Sequence, residues 1–337
     1  MPAANFKILI SRTDSIGDVI LTLPMAGLIK KNYPDSVIFF LGRTYTKEII
    51  ALSKHVDEFI NYDELEGQNQ NERSNTLKKY KIDYFVHVLP ERGLAQLAKQ
   101  AKIPLRVGTT SRSYHWLYCN KLISLSRKNS NLHEAQLNIK LLQFLDIETE
   151  IPLNEIQNYY GFTNIPISES TVNSLIDKTK INVILHPKSK GSAKEWGLNN
   201  YRNLIRLLPE DRFKIFISGT IEDGVLMNEF IKEVPSVINL AGKLSLKEFV
   251  AFINLSDALV AASTGPLHIA AALNKKAIGL FSMKRPIHPG RWMPIGRNAH
   301  SLVYDKDCEN CSKGKDCNCI TKISPEQILN LLGKSNE

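Results

Sequence analysis

Short, nearly continuous apolar runs alternate with stretches of helical periodicity along the whole 337-residue chain. Residues 6–11, 37–41 and 84–89 are such runs. With no polar alternation they suit strands covered on both faces, which belong to parallel sheets flanked by helices. Residues 19–31 and 45–53 read as helices between them, and 136–145 as a helix closing the first half. The pattern then restarts. Residues 182–186 form an apolar strand ending at Pro187, and Leu198, Tyr201, Leu204, Ile205 and Leu208 share one helical face. Residues 213–218, 258–262 and 277–281 are further strands. A helix over 245–255 opens with Ser245 and Glu248 in capping-box spacing, and a short helix is required over 266–273. Residues 151–180, with Pro152, Gly161 and Pro166, read as a linker, and the polar segment 68–79 as a surface insertion. The expected architecture is α/β, with two Rossmann-like halves and a cleft between them where ligands sit.

Length and composition agree with this reading. At roughly 150 residues per domain, 337 residues suggest two domains. A hydrophobic content of 43% excludes wholesale disorder, and 18 Gly and 15 Pro exclude a collagen-like chain. No 18 consecutive apolar residues occur, so no transmembrane helix is expected. The apolar segment 6–10 is too short for a signal peptide and is followed at once by Arg12, Asp14 and Asp18. Four of the five Cys crowd into the last 30 residues, unlike a secreted disulfide framework, so a reduced, cytosolic protein is expected. The 43 Lys+Arg against 34 Asp+Glu give a net charge of +9, which suggests an anionic partner such as a nucleotide, a nucleic acid or an anionic lipid surface.

Three segments carry candidate chemistry, each between a strand and a helix. In Ser11-Arg12-Thr13-Asp14-Ser15-Ile16-Gly17-Asp18-Val19, a turn after the first strand points free N–H groups into the crevice, and Asp18 falls in the first helical turn. The dinucleotide pattern G-x-G-x-x-G is absent. In His186-Pro187-Lys188-Ser189-Lys190-Gly191-Ser192-Ala193-Lys194-Glu195-Trp196, three Lys, two Ser and a Gly form a candidate phosphate cradle. In Ser263-Thr264-Gly265-Pro266-Leu267-His268, Gly265 turns the chain and Pro266 starts a helix whose first N–H groups suit a diphosphate. His268 could donate to a phosphate or ribose.

In this order and spacing the three segments resemble glycosyltransferase family 9, the heptosyltransferases of lipopolysaccharide inner-core assembly. Gly242-Lys243 with Ser245-Leu246, and Pro289-Gly290-Arg291-Trp292, add to the match. The resemblance implies a GT-B fold, two Rossmann-like domains facing across a cleft. Residues 1–165 would bind the acceptor and 166–323 the nucleotide sugar, with a helix in 324–337 returning to the first domain. It implies an inverting transfer from ADP-heptose to the Kdo/heptose inner core, with no cofactor required, by a cytoplasmic enzyme peripheral to the inner membrane. A related transferase using another nucleotide sugar and a non-catalytic nucleotide-sugar-binding homologue are the alternatives. Asp18 matches the general base and Lys194 the lysine near the donor phosphates. Donor contacts are expected from Ser189, Lys190, Ser192, Glu222, Ser263, Thr264, Gly265, Pro266 and His268. One departure is that the family usually has Asp where this chain has Ser263. The acceptor, an acidic lipid A core, would meet Arg12, Arg106 and Arg112. Nucleic acid is not an expected partner.

Cys308, Cys311, Cys317 and Cys319 could hold zinc, but their spacing is shorter than finger or ribbon templates, and no metal is expected there. Cys119 reads as an ordinary semi-buried thiol.

Overall fold

A computed structural model describes residues 5–128, 130–167 and 170–333. The chain divides into two units between Asn164 and Ile165.

The first unit holds a six-stranded sheet of β1 (Lys7–Ser11), β2 (Val37–Gly42), β3 (Glu58–Asn61), β4 (Tyr84–His87), β5 (Leu105–Thr109) and β6 (Lys121–Ile123). Its spatial order is β3-β2-β1-β4-β5-β6, with every neighbouring pair parallel. The second unit repeats the plan with β7 (Ile181–His186), β8 (Phe213–Ile217), β9 (Ile238–Asn239), β10 (Ala258–Ala262), β11 (Lys276–Phe281) and β12 (Ala299–Val303). Its order is β12-β11-β10-β7-β8-β9, again all parallel. Read from its own first strand, this is the same order as in the first unit. In both, the order reverses beside the unit's first strand, at β1/β4 and at β7/β10. Strands leaving such a point in opposite directions open a crevice at their carboxyl ends.

The near-continuous apolar strands are buried as their composition requires. Ile8, Leu9 and Ile10 of β1 and every residue of β10 and β11 are buried. The helix Leu246–Leu255 has the expected capping box, with the Ser245 hydroxyl accepting from Glu248 N–H.

Several expectations are corrected. The helix read over 19–31 is two helices, Ile16–Ile20 and Pro24–Asn32, because Pro24 starts a new helix where a continuous one would need its N–H. The stretch 45–53 yields a short 3-10 turn and the helix Lys47–Ile50. The polar segment 68–79 is a helix, Gln70–Lys79, opened by a capping box on Asn69 and burying Leu77 in the first core. The linker read over 151–180 is part structure. Residues Leu153–Tyr159 form a 3-10 helix with Ile156 and Tyr159 buried. Gly27 packs so closely on it that a Cβ would lie 2.1 Å from the Tyr159 carbonyl oxygen.

The last helix, Pro325–Gly333, was expected to return to the first domain. Its apolar side chains Ile328 and Leu332 belong to the core of the second unit, with Tyr201, Leu204 and Ile278. Residues 334–337 lie outside the described part. Among the described residues, no helix is long and apolar enough to cross a membrane.

Candidate functional site

In the first unit the crevice is built on β1 and β4. Arg12 leaves the end of β1 and is 3% exposed. Its Nε donates to Asp14 at 2.6 Å, one terminal nitrogen to Glu134 at 3.1 Å and the other to Asp18. Burial works against this guanidinium's charge, but Asp18, Asp14 and Glu134 together outweigh it and hold the proton above the ordinary arginine value. The Ser15 hydroxyl donates to the other Asp18 oxygen, and Thr22 Oγ1 to the Asp18 carbonyl. Burial raises the Asp14 carboxyl above the usual range, against the pull of Arg12. From the β4 side, Glu91 accepts from Thr13 Oγ1 at 2.9 Å. Asp18 thus stands in the first turn of the helix at the β1/β4 crevice, oriented by two donors.

Arg12, expected as an acceptor contact, has its three nitrogens engaged by carboxylates of the unit itself. Arg106 was the second acceptor candidate. It is the second residue of β5, at the end of the strand away from the crevice, and its guanidinium donates to the carbonyls of Tyr118 and Ile103. Arg112, beyond the carboxyl end of β5, is exposed and remains a candidate. Glu134 was missed by sequence reasoning; no local pattern ties it to Arg12 across 122 positions.

In the second unit the crevice lies between the loop after β7 and the helix Gly265–Ala272 after β10. Left-handed backbone at Lys190 (φ 49°) and Gly191 (φ 81°) reverses the loop. Its cations are not free. Lys188 pairs with Glu195 at 2.6 Å, Lys190 with Glu222 at 3.4 Å and Lys194 with Asp316 at 2.5 Å. Glu195, not singled out from the sequence, is the brace, since it also accepts the Ser189 N–H at 3.0 Å. The hydroxyls are partly spent as well. Ser189, 7% exposed, donates to the Ala193 carbonyl at 2.7 Å, and Ser192 to the Ser189 carbonyl at 2.7 Å. Glu222 is exposed beside Lys190, whereas its neighbour Asp223 caps its helix through Thr220.

The facing helix start is prepared differently. Thr264 is its N-cap, 7% exposed, and its buried Oγ1 has no hydrogen-bond partner among the described residues. Pro266 occupies the first turn, where its missing N–H costs nothing. His268 is 2% exposed, packed inside rather than at the mouth of the crevice. Lys194 and Ser263 line a cavity of about 100 Å³ together with Ala193, Ser282, Lys284 and Arg285. The last three follow β11 and were not anticipated; basic and hydroxyl residues directly after a strand end are the signal that could have found them. Leu280, Phe281, Pro286, Ile287 and Ile320 complete the lining, so three basic side chains and two hydroxyls rim a largely apolar cavity next to the helix start.

Trp196 carries no site chemistry. It is fully buried, packs edge-on against Tyr201 at 4.9 Å, and donates to the Ile323 carbonyl at 2.9 Å.

The family model of glycosyltransferase family 9 (heptosyltransferase) matches residues 75–320. A putative glycosyltransferase of Haemophilus influenzae is 25% identical over 299 residues, covering 86% of each chain. The lipopolysaccharide core heptosyltransferase OpsX of the same organism is 21% identical, covering 96% of this chain and 95% of its own. Among solved structures, a family 9 glycosyl transferase from Veillonella parvula superposes with a TM-score of 0.81 at 20% identity, over 98% of both chains. The Escherichia coli heptosyltransferase WaaC with ADP superposes with a TM-score of 0.73 at 16% identity, over 97% of this chain and 98% of its own. The fold is thus that of the GT-B heptosyltransferases, and a chain matched by the family model over most of its length is a glycosyltransferase belonging to family 9, the heptosyltransferase family of lipopolysaccharide core assembly.

Proposed function

We propose that the chain transfers a heptose from ADP-heptose to the Kdo/heptose inner core of lipopolysaccharide, with inversion at the anomeric carbon. The observation that supports this is that each unit carries candidate chemistry at its own crevice, Asp18 held by two donors in the first and basic side chains beside a helix start in the second. The first unit takes the acceptor and the second the donor. Asp18 accepts the proton of the acceptor hydroxyl as its oxygen bonds to the anomeric carbon. The bond from that carbon to the donor phosphate breaks in the same step, and ADP leaves with the electron pair. Arg12 and Ser15 hold the base in place. Lys194, Thr264 and the N–H groups at Gly265 stabilise the charge gained by the diphosphate, with Ser192 and Ser263 beside them. Lys284 and Arg285 join that set. Arg112 is the acceptor contact that keeps its place. The enzyme works at the cytoplasmic face of the inner membrane, where an acidic lipid A core would be presented.

Ser263 bears on the metal requirement. An uncharged hydroxyl donates to a phosphate, whereas a carboxylate there would repel it or recruit Mg²⁺. Transfer is therefore independent of Mg²⁺. Activity is expected to persist in excess EDTA, and Ser263→Asp to weaken donor binding unless Mg²⁺ is added. Loss of activity in EDTA, restored by Mg²⁺, overturns this part.

The test of the whole reading is turnover of ADP-heptose with a truncated Kdo-bearing lipid acceptor, preceded by a thermal-shift comparison of nucleoside diphosphates. ADP should raise the melting temperature most. Preference for another nucleoside diphosphate, with transfer from its sugar, selects a different donor.

A further inference from the structure

The segment 305–318, Asp-Lys-Asp-Cys-Glu-Asn-Cys-Ser-Lys-Gly-Lys-Asp-Cys-Asn, contains no aliphatic or aromatic side chain. It has no apolar area with which to offset the entropy of ordering it. Yet it is folded around its cysteines, with Cys311 fully buried, Cys319 5% exposed, and Cys308 and Cys317 half-buried. All four sulfurs lie within 4.8 Å of one another. Cys317 Sγ is 3.5 Å from Cys308 Sγ and 2.9 Å from Cys319 Sγ. Zinc bound tetrahedrally by thiolates at about 2.3 Å places its sulfurs about 3.8 Å apart, so small adjustments close the site. The Cys319 N–H donates to Cys317 Sγ at 3.3 Å, an interaction that stabilises a thiolate.

We propose that Cys308, Cys311, Cys317 and Cys319 form a closed tetrathiolate site for one thiophilic divalent cation, with zinc the expected occupant. Four protein sulfurs leave no open position, so the ion is structural. The short spacing that disfavoured a metal in the sequence is accommodated because Cys308 and Cys311 bracket one helical turn, while Cys317 lies in the irregular stretch that follows and Cys319 opens a 3-10 turn. The ion also has a bearing on the donor crevice. Lys194 Nζ donates to the Cys317 carbonyl and pairs with Asp316, so the cross-linked segment positions that ammonium. Asn200 and Trp196 tie down the same segment further along, at the carbonyls of Thr321 and Ile323.

The test is elemental analysis for zinc and iron on the full-length chain purified without air, with thiols counted before and after a strong chelator. About one zinc per chain is expected, with the four thiols protected until the chelator is added. Stripped protein should take up Co²⁺ and show the absorption of a tetrahedral thiolate complex. Cys308→Ser, at a half-buried position, should lower metal content at least tenfold. One equivalent of iron instead keeps the tetrathiolate site and changes its occupant. A metal-free chain with four freely reacting thiols that binds neither Zn²⁺ nor Co²⁺, or one with a disulfide among the four, overturns the proposal. Metal content is read without any glycosyl transfer, so failure here is separate from failure of the functional reading.

Discussion

Both sheets reverse their order beside the unit's first strand, and both crevices there are charged, yet the charges are organised in opposite senses. In the first unit the buried Arg12 guanidinium is shared by Asp14, Asp18 and Glu134, and Arg127 also pairs with Glu134 at 3.0 Å, so three carboxylates meet two guanidinium groups. In the second, three lysines each pair with one carboxylate, Lys194 also donating to the Cys317 carbonyl, and Lys284 and Arg285 line the cavity. In the proposed mechanism the shared cation orients the carboxylate that takes the proton. The exposed Lys190 ammonium, held by one carboxylate, can turn to an incoming phosphate, exchanging one anion for another. On the proposed reading, the same topology serves base chemistry in one half and anion binding in the other.

The largest expected effect breaks this contrast on the first side. Asp18→Asn should lower turnover by about 10²–10⁴-fold while donor binding stays near wild type. Arg12 keeps Asp14 and Glu134, so the fold should survive. Turnover within a few-fold of wild type in the purified variant would remove Asp18 from the mechanism.

On the second side, Trp196→Ala should destabilise the chain by about 3–5 kcal/mol, the usual range for emptying a buried aromatic site. Trp196→Phe should recover much of this, losing chiefly the bond to the Ile323 carbonyl. Urea unfolding of both variants measures the difference; a loss below about 1 kcal/mol for the Ala variant would mean the ring supports no core.

A smaller effect is expected at Lys194. Lys194→Ala should reduce kcat by about 10–100-fold and change donor affinity less, because its charge matters most as the diphosphate leaves. A raised KM with unchanged kcat would instead make Lys194 a uniform binder.

These residues differ in how far the sequence revealed them. Strand–turn–helix punctuation placed Asp18 and the Gly265 helix start correctly, because a crevice at a strand end is a local consequence of chain order. The partners were invisible. Glu134 reaches Arg12, and Asp316 reaches Lys194, across more than a hundred positions, with no periodicity to announce either pairing. Arg106 failed for a directional reason: it lies on a suitable strand but at the wrong end. The segment 68–79 failed because its helix is held by a cap and one leucine rather than by an apolar stripe.

The smallest effect sharpens the comparison through one strand-end histidine in each unit, His87 buried and His186 half-buried. His87 ends β4 and His186 ends β7, and neither was assigned chemistry. Burial lowers His87 to about 3, helped by His115 and Arg106, and lowers His186 to about 4 against the opposing pull of Asp223 and Glu195. Both are neutral when folded at pH 7. Between pH 6.5 and these values the unfolded chain binds protons that the folded chain does not, so stability falls as pH falls. Replacing either histidine with Leu should flatten the urea-midpoint profile between pH 6.5 and 4.5. The two variants should part at pH 7.5. Both His87 ring nitrogens are buried without a partner among the described residues, so His87→Leu should be neutral or stabilising by about 1 kcal/mol. His186 Nδ1 meets the Ser218 hydroxyl at 2.9 Å, so His186→Leu removes a satisfied bond and should cost about 1 kcal/mol. If both variants keep the wild-type pH slope, other groups govern acid stability; if His87→Leu is the more damaging at pH 7.5, its ring has a partner that matters more than burial.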